Sequence, residues 1–238
     1  MLKQCGSAQT FLLHLSSFSF YRLIISLALL TIAIALLTFF PLLVFPQNKP
    51  MDEPAIEVLK VRIRDAAQKT QTIVSDFLQE KEMSMIKEKI ISTGKFYFKK
   101  EKMLRWEYLQ PFSYLIVIRN DQISIRDENK VNQFNVQSNK VFREINRVIL
   151  GSIRGTLVSD EQNFHASFFS NATTWMVKLK PLSPKLRESL SGIVICFDRK
   201  DCSVDRIEMI EPGGDCTKIN FMDKKLNQPI ADEKFMVP

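Results

Sequence analysis

"KFYFKKEKMLRWEYLQPF", Lys95 to Phe112, is the stretch whose period decides the fold. Phe96 and Phe98 fall on one side of an extended chain, and Lys95, Tyr97 and Lys99 on the other. After the turn-like "KKEK", Leu104, Trp106 and Tyr108 alternate with Arg105 and Glu107. Two period-two runs joined by a short charged turn predict an antiparallel hairpin. Arg105 reads as a solvated charge on the outer face.

Working outward, "YLIVIRNDQISIRD" adds two strands around a turn at Asn120-Asp121, and "VNQFNV" adds another short one. Strands that follow one another without a crossover helix form a meander, not a βαβ sheet. Before the hairpin, Ile56, Leu59, Ile63, Ala66, Thr70, Ile73 and Phe77 recur at three- and four-residue intervals and predict a helix over Ala55 to Gln79. A second helix is predicted over Asn139 to Ser152, where Phe142, Ile145 and Ile149 share a stripe. Strands resume in "NFHASFF", "TWMVKLKP", "GIVICFD", "VDRIEMIEP" and "TKINFMD", with "LSPKLRESL" as a short helix or loop. An amphipathic helix is not stable alone, so both helices must cover the sheet. Periodicity leaves open whether they cover a filled core or a hollow.

The chain has 238 residues and divides into three parts. Residues 1–46 form an export segment: Leu23 to Phe45 is almost wholly apolar and follows Arg22, which reads as a signal peptide or an uncleaved inner-membrane anchor. Residues 47–54 are a spacer, and 55–238 the main domain. Net charge is +7, but acidic residues interrupt the basic ones throughout, which argues against a nucleic-acid stripe. Eighteen Phe against seven Gly is an excess of aromatic surface that either fills a core or lines something.

The residues assemble no catalytic constellation. His14 precedes the apolar run and His165 sits alone in a strand; Cys216 in "GGDC" has no base at a diagnostic spacing. "GSIRG" and "PGGD" lack the length and lysine of a phosphate loop. "CFDRKDC" spaces Cys196 and Cys202 for a staple across a hairpin, or leaves them, with Cys216, as thiols; neither metal nor cofactor is expected.

Several separated motifs together resemble the periplasmic outer-membrane lipoprotein carrier family, LolA. They are "TIVSDFLQEK" with Phe77 and Gln79, "GKFYFKKEKMLRWEYLQP", and "LKPLSP" followed by "GIVICFD". The closing signature is carried by Asp215, Thr217, Ile219, Phe221, Asn227, Phe235 and Pro238. The resemblance implies an α+β fold, a strongly curved antiparallel sheet forming an unclosed half-barrel, with helices over its concave hydrophobic side. It implies a carrier chaperone, not an enzyme, that shields lipoprotein acyl chains between an ATP-driven releasing complex in the inner membrane and an outer-membrane acceptor. A monomer is expected, in the periplasm or tethered to the inner membrane by residues 23–45.

On that resemblance Phe96, Phe98, Leu104, Trp106, Ile116 and Ile118 are placed on the acyl-chain wall. The 139–152 helix, with Phe142, Ile145 and Ile149, becomes the lid. Lys100 occupies the place of the family's basic latch, with Glu101 where the family has proline. Lysine lacks the rigid fork of arginine, so its grip is of a different kind. Two other readings use the same residues: a carrier of another envelope lipid or glycolipid, and an interaction protein that senses lipid or lipoprotein.

Overall fold

Asp52 takes an extended backbone, and its carboxylate accepts the Ala55 amide at 3.0 Å, which satisfies one free amide of a starting helix. Pro54 stands in the first turn, where its missing N–H is no loss. This helix, α1 (Glu53–Lys69), stops where the Thr70 hydroxyl turns back to the Ala66 carbonyl at 2.9 Å. The β-branched run Thr72-Ile73-Val74 then opens a strand. The helix predicted to reach Gln79 thus ends ten residues early, with Ile73 and Phe77 in a sheet. Four residues apart, they fit one helical turn or two strand repeats, and the β-branched neighbours decide.

The computed structural model describes residues 48–85, 88–100, 103–127, 130–138 and 140–237. The two-residue β1 (Lys49–Pro50) precedes α1. A first meander runs through β2 (Thr72–Met83), β3 (Glu88–Lys99), β4 (Met103–Gln110), β5 (Tyr114–Arg119), β6 (Gln122–Asp127) and β7 (Lys130–Asn135). Helix α2 (Lys140–Ile153) interrupts it. The second meander is β8 (Phe164–Ser170), β9 (Thr174–Pro181), the single-turn α3 (Pro184–Arg187), β10 (Gly192–Asp198), β11 (Val204–Ile210) and β12 (Cys216–Leu226). β12 lies against β2, Phe221 opposite Phe77, and β1 against β8. All twelve strands therefore belong to one antiparallel sheet, ordered β1-β8-β9-β10-β11-β12-β2-β3-β4-β5-β6-β7.

That sheet corrects the half-barrel expectation. It is a large open sheet with two separate edges, neither strongly curled nor closed. Closure would require β7 to find a partner at the far edge, which is Lys49–Pro50, and a proline offers a ladder no N–H. The apolar surface is instead covered from both sides. On one face, Leu59 and Ile63 of α1 and Val148, Ile149, Leu150 and Ile153 of α2 join the main core with the sheet's large side chains. The two helical regions meet at Gly155, whose φ is +66° and where a Cβ would stand 2.7 Å from the Ile63 side chain.

On the other face the C-terminal segment crosses β3, β4 and β5. Phe235 is buried against Met103, Leu115 and Val117. Arg105, only 7% exposed, donates to the carbonyls of Lys234 and Met236, both at 3.3 Å, and pairs with Glu107 at 3.0 Å. It is therefore not a solvated charge but the anchor of this segment. Lys99 adds a bond to the Ile230 carbonyl and an ion pair with Asp232.

Cys196, Cys202 and Cys216 are free thiols, so the hairpin staple does not form. Cys196 points away from the helices, packed with Met176 and Val194 and accepting from Arg206 Nη2 at 3.3 Å, which accounts for its burial without a disulfide. Among the described residues no helix is long and apolar enough to cross a membrane. The apolar run 23–45 lies outside the described residues.

Candidate functional site

Register brings the predicted wall together. Across β3, β4 and β5, Phe98 stands opposite Leu104 and Leu104 opposite Ile118; Phe96 stands opposite Trp106 and Trp106 opposite Ile116. Period-two geometry sends both rows to the face covered by the helices. Phe96 and Phe98 are sealed at 1% and 2% exposure, forming the floor. Leu104, Trp106, Ile116 and Ile118 line a cavity of about 500 Å³ above it, within the roughly 300–1,000 Å³ range of small-ligand sites.

Aromatic rings stiffen this floor. Trp106 meets Phe77 and Phe96 edge-on at 5.1 and 5.0 Å, and Phe77 meets Tyr108 edge-on at 5.1 Å. Such pairs add about 0.5–1.5 kcal/mol each beyond burial. Gly94 makes the arrangement fit, since a Cβ there would lie 1.9 Å from the Glu107 carbonyl oxygen and 2.8 Å from the Phe77 ring. The Tyr108 hydroxyl donates to Gln79 Oε1 at 3.0 Å. Burial, and next the neighbouring Tyr114, pushes its phenol far above the ordinary value, so it stays neutral.

The opposite wall comes from α2, whose Asn146, Val148 and Ile149 line the cavity. Phe142 and Ile145 lie on the same helix, but their side chains fall outside the described residues. The far half of α2 is fixed by Leu150 and Ile153 in the core and by Arg147, which pairs with Asp160 at 3.0 Å. Met209 and Ile219, from β11 and β12, and Leu190, after α3, complete the apolar lining. Polar residues sit where β2, β11 and β12 reach the sheet's end: Gln79, Lys81, Glu211 and Thr217, with Lys81 and Glu211 paired at 3.6 Å. At that end Leu109 and Phe112 are exposed.

Lys100 is elsewhere. Its ammonium donates to the Gln68 carbonyl at 2.8 Å and its amide to the Gln71 carbonyl at 2.7 Å, so among the described residues it is the end of α1 that Lys100 holds. A cation there complements the helix dipole.

Of the remaining lining, Met209, Leu190 and Asn146 carry no site signal in the sequence, and Ile219 and Tyr108 stand there as signature and strand residues only. Ile219 was legible in the alternating "TKINF", and Tyr108 shares the parity of Leu104 and Trp106. Leu190 follows a turn and carries no periodic signal. Asn146 is a polar residue on a helix read by its apolar stripe.

A family model described as "Outer membrane lipoprotein carrier protein LolA" matches residues 68–238, most of the chain. No curated protein matches. Among solved structures, the lipoprotein LppX of Mycobacterium tuberculosis is similar at 10% identity, covering 76% of this chain and 99% of its own, with a TM-score of 0.46. The LolA superfamily protein NE2245 of Nitrosomonas europaea gives 8%, 76%, 97% and 0.42. A chain of the Pseudomonas aeruginosa MucA/MucB complex gives 10% identity and a TM-score of 0.47, with 77% of this chain matched to only 61% of that one. Likenesses this distant say nothing of ligands or partners.

Proposed function

The chain belongs to the LolA family of outer membrane lipoprotein carriers, and from that premise we propose that it shields lipoprotein acyl chains in the cavity under α2 and delivers them from inner to outer membrane. The protein is periplasmic and of the carrier and chaperone class. The observation that carries the finer reading is the apolar hollow itself, walled by Leu104, Trp106, Ile116 and Ile118 on the sheet and by Val148 and Ile149 on the helix.

Each acyl CH2 exposed to water costs about 0.8 kcal/mol, so a chain released from a bilayer needs such a wall. Met209 suits a site that must also let go, because an unbranched thioether adapts to more than one shape. In this reading α2 is the lid and Lys100 steadies the end of α1 as the lid moves. The donor is an inner-membrane releasing complex and the receiver an outer-membrane acceptor.

Spheroplasts carrying an acylated lipoprotein test this reading. Added protein should bring the lipoprotein into the soluble fraction, and a lipoprotein that stays with the membrane would refute it. Should free lipid or glycolipid be extracted from the protein in place of acylated peptide, the client belongs to that class.

A further inference from the structure

Among the described residues, three buried side-chain nitrogen or oxygen atoms make no hydrogen bond: Trp106 Nε1, Asn146 Oδ1 and Arg206 Nε, the last ion-paired with Glu208 at 3.0 Å. Two of the three belong to residues lining the same cavity, one from the sheet and one from α2. We propose that the cavity receives the polar junction of an acylated compound and not its hydrocarbon alone. Trp106 Nε1 donates to the acyl carbonyl, and Asn146 Oδ1 accepts from an adjacent N–H or O–H.

The chemistry follows from what each atom can do. An indole N–H is a donor only, so its partner must be an acceptor. Trp106 is 3% exposed, its N–H has no partner, and its ring neighbours are Phe77, Phe96, Phe221 and Tyr108. The Tyr108 hydroxyl is already committed to Gln79. A saturated chain would leave both orphans as they are, whereas an amide or a hydroxyl-bearing ester supplies an acceptor and a donor side by side. Both atoms are shut off from solvent, so a ligand reaches them by parting α2 from the sheet. Leaving a donor unsatisfied in the closed state also lowers the cost of that parting.

This inference rests on the carrier reading, and the test separates the two. Protein expressed from the full-length sequence is titrated with three ligands of equal chain length: N-palmitoylethanolamine, 1-monopalmitoylglycerol, and the ether 1-O-hexadecylglycerol, which lacks the carbonyl. The amide and ester should bind roughly fivefold to tenfold more tightly than the ether. Trp106→Phe keeps an aromatic ring but removes the N–H, and should erase most of that preference. Asn146→Leu should weaken the amide and the ester together. Equal binding of all three by the unsubstituted protein would overturn the inference and leave the carrier reading standing. Failure of all three to bind would overturn both. The ligand series in the unsubstituted protein needs no variant, so misfolding of a substituted chain does not obscure the result.

Discussion

Arg105 falls on the parity of β4 opposite to Leu104 and Trp106, and in the sequence that parity means solvent. The C-terminal segment lies over it instead, and Arg105 becomes a buried donor to the Lys234 and Met236 carbonyls. Its partner Glu107 is held below the ordinary carboxylate range, chiefly by the hydrogen bond from Arg105. A carboxyl depressed on folding stabilises the protein above its unfolded value of 4.5, and that contribution is lost as pH falls through the folded value. Asp232 and Asp215 are also depressed, by Lys99 and by bonds from Ser84, and act in the same direction. The melting temperature should therefore fall as pH drops below about 4.5. Glu107→Gln should lose part of that dependence and about 1 kcal/mol or less at neutral pH, because the pair is partly exposed. Thermal melts of both proteins between neutral and acid pH check this. Parallel curves would show that Glu107 does not hold the segment through its charge. The parity of Arg105 was legible in the sequence, but the segment that covers it comes from the far end of the chain, and alternation within one strand carries no trace of that.

At the scale of elements, β3, β4 and β5 were legible because alternation is a local property, and so was the C-terminal meander. The end of α1 was not, because Ile73 and Phe77 satisfy both periods and only the β-branched residues between them favour the strand. Helix α2 was legible by its stripe, though not the contacts that fix its far end. Its far end is locked by Leu150, Ile153 and the Arg147–Asp160 pair, while Val148 and Ile149 look into the cavity. Should the proposed lid part from the sheet, its Leu150–Ile153 end, set in the core, moves least. Spin labels at Lys140 and Leu109 should separate on loading with an acylated peptide, and a second pair at Arg154 and Leu109 should shift less. An unchanged Lys140–Leu109 distance would rule out α2 as the moving part.

For the whole molecule, an antiparallel meander could be read from the sequence, but its curvature and the pairing of β12 with β2 could not. Periodicity states which side chains share a face and not how far the sheet bends, and the resemblance supplied a half-barrel where the chain builds an open sheet. What substitutes for closure is coverage: two helices on one face and the C-terminal segment on the other. The hollow survives because α2 meets a floor of rings that pack on one another, leaving about 500 Å³ between helix and sheet. The central claim is that this space holds acyl chains. A photoreactive benzoylphenylalanine at Ile116, inside the cavity, compared with one at Lys95, exposed on the opposite face, tests it in the presence of an acylated lipoprotein. Cross-links should form at Ile116 and not at Lys95, and be lost when the lipoprotein is unacylated. Equal labelling at both positions, or none at Ile116, would contradict it.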